Sequence, residues 1–418
     1  MPLRAGGGRR VPRPLRPRAS RPGRGAAGAG RRGARRAAHP APARPRPGGA
    51  GDGRDDDPRL RRAGDRARDA GDAEGRAAAR KEEPMKKLMN AVDDVLTDSL
   101  RGFGAAHADL VEVSLDPKLV WRKGGGRAGK VALISGGGSG HEPLHAGFVG
   151  MGMLDAACPG EVFTSPTPDQ MVAAAEKVHA DAGVLFIVKN YSGDVMNFEM
   201  AAEMIPDMLG AATATVLTND DVAVESSLHS QGRRGVAGTV IVEKILGAAA
   251  ERGDGLAELQ ALGDRVNDAS GSMGVALTSC SVPAAGKPTF TLGEGEVEMG
   301  VGIHGEPGRA REALRGADAL AADMVGAICE DLKPASGQEV LLLVNGMGGT
   351  PLMELYLMFD AAKRAAEAQG LSVARSLVGN WCTSLEMQGC SVTLTKLDGE
   401  MAALWDAPVH TAAMRRGA

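Results

Sequence analysis

Two glycine-rich stretches each carry a histidine. GVGIHGEPG, Gly300 to Gly308, sets His304 among four glycines, and GGGSGHEP, Gly136 to Pro143, sets His141 behind a glycine run. A third stretch, KNYSGD, Lys189 to Asp194, delivers a cation and a carboxylate together. A histidine so placed has four uses: core side chain, metal ligand, general base or nucleophile. Metal ligation needs partners at close spacing, as in HExxH or HxH, and His304 has none. His141 and His145 are four apart, but Pro143 between them favours a turn over a shared helix face. Nucleophilic attack on a ketone or aldehyde carbonyl needs a neutral imidazole in open space, which flanking glycines supply. Spacing leaves general base and nucleophile both open.

The glycine run follows the apolar stretch KVALIS (130–135), where α/β folds place ligands. It is not a phosphate loop, because no Lys-Ser/Thr follows. It also fails G-x-G-x-x-G, since His141 takes the last glycine position. Asp194 suits the cap of a helix over DVMNFEMAAEM, and a capping carboxylate keeps a free oxygen for a proton. Of the other histidines, His107 and His179 read as surface residues, while His229 and His410 carry no spacing signal.

These residues need a scaffold. GVLFIVKN (183–190), ATATVLTND (212–220) and GVALTSC (274–280) read as strands, with a helix over GVAGTVIVEKILGAAAERG. Buried strands alternating with helices predict parallel sheet in an α/β fold. A second group follows: a strand at EVEMGVGI, a helix from Arg309 to Asp331, a strand at QEVLLLVNG and a helix at TPLMELYLMFDAAKRAAEAQG. In that helix Thr350 is the expected cap, Pro351 the first turn and Gly370 the stop. SVARSLVG and SVTLTKL are later strands. The expected architecture is two α/β domains. The first, 85–275, is a three-layer sandwich with a mostly parallel sheet. The second, 276–418, is smaller, has a mixed sheet and carries His304, and the C-terminal tail returns to the first.

Residues 1–84 differ from the rest. They hold 23 Lys and Arg against 10 Asp and Glu, whereas the remainder carries a net charge of −16. Arg, Pro, Gly and Ala dominate there, so too little apolar surface exists to offset ordering, and disorder is expected. The segment has neither the apolar core of a secretory signal nor the serine content of a transit peptide, and a start at Met85 is the expected reading. The acidic remainder argues against nonspecific nucleic-acid binding. No run of 18 apolar residues occurs, so no membrane span is expected. The five cysteines, Cys158, Cys280, Cys329, Cys382 and Cys390, include no CxxC and fit reduced thiols in a cytoplasmic protein.

The motifs, taken with MKKLMNAVDDVL, GRRGVAGTVIVEKILGAAAERG, NGMGGTPLMELY and LWDAPVHT, resemble the dihydroxyacetone-binding subunit, or N-terminal kinase domain, of dihydroxyacetone kinases from Met85 to about residue 414. The resemblance implies that His304 bonds covalently to the substrate carbonyl carbon as a hemiaminal. It implies that Gly138, Ser139, Gly140 and His141 hold the substrate hydroxyls, with His141 assisting catalysis. It further implies that Lys189 binds substrate and that Asp194 is the base for the attacking hydroxyl. A hemiaminal would select the ketone over glycerol, which has no carbonyl. The sequence shows no phosphate cradle or acidic metal cluster, and it ends eight residues after His410. The expectation is therefore no cofactor on this chain, with ADP or ATP and magnesium on a separate nucleotide-binding phosphotransferase subunit. A phosphoenolpyruvate phosphotransferase protein would recharge that subunit, with direct service by ATP and a non-catalytic ketose sensor as alternatives. Family members commonly form homodimers. Arg233 and Arg234, in QGRRG, are candidates for docking the partner, or form a solvated turn.

Overall fold

The apolar run after Lys130 becomes a strand buried at every position, as parallel strands covered on both faces must be. A computed structural model describes residues 86–225, 229–230 and 232–418. The basic stretch expected to be disordered, residues 1–84, lies outside the described residues. All elements below fall within the unit Glu82–Ala418.

In chain order the first part runs α1 (Val95–Ala106), β1 (Val111–Leu115), β2 (Lys118–Arg122), β3 (Ala132–Ser139), β4 (Gly150–Met151), β5 (Ala156–Val162), α2 (Pro168–Val178), β6 (Val184–Lys189), α3 (Ser192–Leu209), β7 (Thr213–Thr218), α4 (Gly238–Arg252) and α5 (Leu256–Asp268). The sheet order is β1-β2-β5-β3-β6-β7. Its β5, β3, β6 and β7 are parallel, and the β1–β2 hairpin adds an antiparallel edge. α2 and α3 cover one face through Met171 and Phe198 against Ile134 and Phe186. α4 and α5 cover the other through Ile241 and Val266 against Leu133 and Leu185.

The second part runs β8 (Ser270–Ala276), β9 (Glu296–Met299), β10 (Ala310–Ala313), α6 (Ala317–Leu332), β11 (Glu339–Gly346), α7 (Leu352–Ala368), β12 (Ser372–Gly379), β13 (Gly389–Lys396), α8 (Gly399–Asp406), β14 (Val409–Thr411) and β15 (Arg415–Arg416). Its sheet, β10-β9-β8-β13-β11-β12, is antiparallel except between β11 and β12. α6 and α7 cover one face with Met324 and Leu355. The reverse face of β11, Leu341 and Leu343, joins the apolar cluster of α4. α4 therefore lies between the two sheets and is buried from Gly238 to Ala250. That burial explains its near-continuous apolar sequence, and each fully buried Ile or Leu contributes roughly 1.5–3 kcal/mol. Its Lys244 satisfies its buried ammonium by donating to the Leu404 carbonyl at 2.8 Å. Near the C-terminus β14 pairs with β4, antiparallel, His410 opposite Met151. Among the described residues no helix is long and apolar enough to cross a membrane.

Several expectations are corrected. The glycine run does not follow a finished strand. β3 continues through it, because Gly136 to Ser139 pair with β5. A Cβ on Gly136 would lie 2.6 Å from the Cys158 carbonyl oxygen, so only glycine lets the strand pair there. GVALTSC belongs to the second sheet as part of β8, so that sheet starts at Ser270 rather than 276. The strand at EVEMGVGI stops at Met299, because Gly300 turns the chain at φ 76°. The helix expected from Arg309 begins at Ala317, and Ala310–Ala313 pair instead with β9. Pro351, not Thr350, occupies the N-cap of α7. The Thr350 hydroxyl is engaged by the Gly389 backbone, to whose carbonyl it donates at 2.7 Å.

Candidate active site

The parallel strands β3 and β6 end side by side, and a parallel sheet exposes its ligand crevice at such ends. β3 leads into Gly140 and His141, and β6 ends on Lys189. Tyr191 is the N-cap of α3, so Asp194 stands within its first turn and is not the expected cap. The loop after β9 brings His304 over the same place from the second sheet. Gly138, Phe163, Tyr191, Asp194 and His304 line one cavity of about 370 Å³, with exposed His229 at its edge. A mostly apolar cavity of about 400 Å³ lies behind the glycine loop against α1, lined by Leu96, Phe103 and Leu144. It contains neither His304 nor Asp194, so the reactive groups belong to the first cavity.

His304 is held on three sides. Its Nδ1 lies 3.1 Å from Glu306 Oε1, and its backbone N–H donates to Glu306 Oε2 at 3.0 Å. The rings of Tyr191 and Phe163 meet it nearly edge-on, at 4.6 and 5.1 Å between centroids. A carboxylate only accepts, so Nδ1 carries a proton and Nε2 is left for other partners. Burial would raise the Glu306 carboxyl, but the neighbouring His304 imidazole and Arg234 guanidinium outweigh it and bring it down to about 2. A depressed carboxyl contributes stability above its unfolded value that is lost as pH falls through the folded one. Glu306→Gln is therefore expected to remove an acid sensitivity on the order of 3 kcal/mol between about pH 5 and pH 2. Denaturant unfolding of parent and variant at pH 6 and pH 2 measures it.

His141 is buried, and its Nδ1 lies 2.7 Å from the Thr383 carbonyl oxygen, which fixes a proton there. Its Nε2 faces His304 Nε2 at 3.1 Å. Two bare nitrogens repel at that distance, so the contact requires one shared proton, whose charge faces the ionised Glu306. Burial first, then His304 and Lys189, hold His141 well below the ordinary imidazole pKa. A proton there is readily given up.

Lys189 and Asp194 are both buried. The Lys189 ammonium donates to the Gly136 carbonyl at 3.2 Å and lies 2.8 Å from His145 Nε2. It stays 3.7 Å from Asp194 Oδ2. Asp194 lines the cavity, and its Oδ1 is buried with no hydrogen-bond partner.

The other expected residues divide. Gly138 lines the cavity, and a Cβ there would lie 2.6 Å from the Thr164 nitrogen. Ser139 turns away and donates to the Gly160 carbonyl at 2.7 Å, so the loop offers backbone rather than that hydroxyl. The Gly140 N–H donates to Glu142 at 3.0 Å. Arg234 is fully buried, which removes it from any docking surface. It pairs with Asp221 at 2.6 Å and donates to the Gly300 carbonyl at 2.8 Å, bracing the root of the His304 loop. Arg233 is half-exposed but engaged by Asp331 at 2.8 Å. Arg234→Ala would strand Asp221 without its cation, and a loss of about 3–5 kcal/mol is expected from thermal or denaturant unfolding.

Sequence reasoning missed Glu306, Tyr191, Phe163, His145 and Glu243. Glu306 had a signal, an acid two residues after the histidine in one tight turn. Glu243 had another, a carboxylate inside an otherwise apolar helix.

A Dak1 domain is matched over residues 101–413, about three quarters of the chain. The chain belongs to the Dak1 domain family. It is 48% identical over 357 residues to the dihydroxyacetone-binding subunit DhaK of the PEP-dependent dihydroxyacetone kinase of Escherichia coli (strain K12), spanning 80% of this chain and 100% of that one. Among solved structures it resembles the dihydroxyacetone kinase operon co-activator Dha-DhaQ, with a TM-score of 0.71, 34% identity, 78% of this chain and 98% of that one. It also resembles the dihydroxyacetone kinase of C. freundii, with a TM-score of 0.69 and 33% identity, over 78% of this chain but 60% of that one.

Proposed function

We propose that this chain is the dihydroxyacetone-binding subunit of a phosphoenolpyruvate-dependent dihydroxyacetone phosphotransferase. The observation that carries the reading is the wall of the cavity. It combines His304, oriented by Glu306, with Asp194, whose buried oxygen lacks a partner. The His304 Nε2 lone pair attacks the carbonyl carbon as the C=O π pair moves to oxygen. That oxygen takes the proton shared with His141 Nε2, and a hemiaminal forms. The positive charge passes from the histidine pair to the alkylated His304 ring, which faces the ionised Glu306. Asp194 then accepts the proton of the terminal hydroxyl as that oxygen attacks phosphorus.

The phosphorus comes from a nucleotide on a partner subunit, with ADP or ATP and magnesium there and none on this chain. The match to the whole Escherichia coli subunit supports that division, as does partial coverage of the C. freundii kinase. A phosphoenolpyruvate phosphotransferase protein recharges the partner. Five unpaired cysteines fit a cytoplasmic setting. The exposed Leu352, Met353, Tyr356 and Leu357 of α7 offer a surface to a second copy in a homodimer.

The test is reconstitution. The chain with a nucleotide-binding subunit and the phosphoenolpyruvate system is expected to form dihydroxyacetone phosphate, and the chain with ATP alone is not. Product from ATP alone would give the donor role to ATP directly. The likeness to a co-activator favours a second reading, a ketose-sensing regulator. That reading predicts bound dihydroxyacetone and no product with any partner or donor.

A further inference from the structure

Behind the cavity lies a chain of buried polar groups that ends on Asp194, the base of the reaction above. Ser135 on β3, His145 on the following loop, Lys189 on β6, Asp194 on α3 and Glu243 on α4 are each at least nine-tenths buried. His145 sits at its centre. Its Nδ1 lies 2.6 Å from Glu243 Oε1 and 3.0 Å from Ser135 Oγ, and its Nε2 lies 2.8 Å from the Lys189 ammonium. The Ser135 hydroxyl donates to the Ile187 carbonyl at 2.6 Å, so its oxygen is left to accept. The ammonium only donates, so His145 Nε2 must be bare and Nδ1 protonated. Glu243 suits that tautomer. Burial pushes its carboxyl up to about 8, against the pull of Lys189 and Ser135, so near neutrality it holds a proton and its other oxygen still accepts from Nδ1–H. Burial, then Lys189 and His141, hold His145 well below the ordinary imidazole pKa, hence neutral.

We infer that His145, oriented by Glu243 and Ser135, is a positioning residue that holds the Lys189 ammonium off Asp194. The inference rests on Asp194 being the base of the proposed reaction. The distances carry it: Lys189 spends its close contact on His145 and stands 3.7 Å from the carboxylate. A carboxylate clamped by an ammonium is a weaker base, whereas one beside it keeps a neutral charge balance and an open oxygen. Gly137 makes room for this arrangement, since a Cβ there would lie 2.2 Å from Lys189 Nζ. The ionisable groups around Lys189 are His141 and His145 on the loop after β3, Asp194 on α3, Glu243 on α4 and Cys382 after β12. None but His145 offers the ammonium a neutral acceptor within hydrogen-bond distance.

The test compares His145→Phe, which keeps a ring but no acceptor, with His145→Gln, whose amide oxygen can take the place of Nε2. Each is assayed with the phosphoryl-donating partner across pH. For His145→Phe, kcat is expected to fall about tenfold, with KM for dihydroxyacetone within about twofold. The acid limb of its kcat profile is expected to move about one pH unit lower, as Lys189 closes on Asp194. His145→Gln is expected to keep the parent's limb. A His145→Phe limb at the parent's position would overturn the inference, as would a shift shared by both variants. A measurement on the unmodified protein stands beside these and needs neither activity nor a variant that folds. Nitrogen-15 spectra of the histidine rings are expected to show His145 neutral with its proton on Nδ1. An Nε2–H tautomer or an imidazolium there would sink the idea. Failure of the proposed reaction looks different, since the parent itself would then transfer no phosphate.

Discussion

Replacing His304 by alanine is expected to cost dihydroxyacetone phosphorylation on the order of 10³-fold or more in kcat/KM, and to erase discrimination against glycerol. The ketone is small, and the cavity of about 370 Å³ is far from a tight mould for it. Hydrogen bonds alone would hold glycerol nearly as well, because both molecules present terminal hydroxyls. A bond from Nε2 to the carbonyl carbon is open to the ketone alone, and it also pins the hydroxyl that must attack. Glu306 is part of this expectation: it holds the Nδ1 proton and so aims Nε2 at the substrate. The measurement is paired competition kinetics with dihydroxyacetone and glycerol, plus a crystal structure of the parent with the ketone. Continuous density from Nε2 to the carbonyl carbon is expected. Were His304 a general base instead, alanine would slow transfer yet leave glycerol excluded and the parent's bound ketone unbonded.

Much of that site could be read from the chain before its fold. Strands β3, β6 and β11 announced themselves because strands buried on both faces need unbroken apolar runs. β5 did not, because Cys158, Pro159 and Gly160 at its centre read as a turn. The helix assigned from Arg309 failed for a related reason. Its first residues face half into solvent on an edge strand, where a short alternating segment looks like an amphipathic turn. His141, His304, Lys189 and Asp194 were visible because each stands in a glycine-rich or strand-ending motif. That the two histidines touch was not visible, since 163 residues separate them. Nor was the His145–Glu243 contact, which spans 98 residues and two elements. The arginine pair misled because QGRRG reads as a surface turn. Only packing against the His304 loop shows that Arg234 is interior and that its charge serves Glu306.

Asp194→Asn is expected to leave the bound ketone in place and to lower phosphoryl transfer about 10²–10⁴-fold. Asparagine matches the carboxylate in shape and still offers an oxygen toward the cavity, so the His304 chemistry on the far wall has no reason to change. What it lacks is the capacity to take a proton from the terminal hydroxyl. Lys189 keeps its acceptors at Gly136 and His145, so the ammonium does not become an orphan when the carboxylate charge is removed. Binding and transfer should therefore separate: ketone affinity near the parent's, kcat collapsed, and little remaining pH dependence on the acid side. A variant that lost ketone binding in proportion would make Asp194 a substrate ligand rather than the base. Transfer by the parent, not binding by the variant, separates the two functional readings. In an enzyme the open oxygen of Asp194 is the point at which the reaction is driven. In a sensor it would be an unpaired buried acceptor with nothing to receive, and Asp194→Asn would leave every measurable property of ketone binding intact without any transfer to lose.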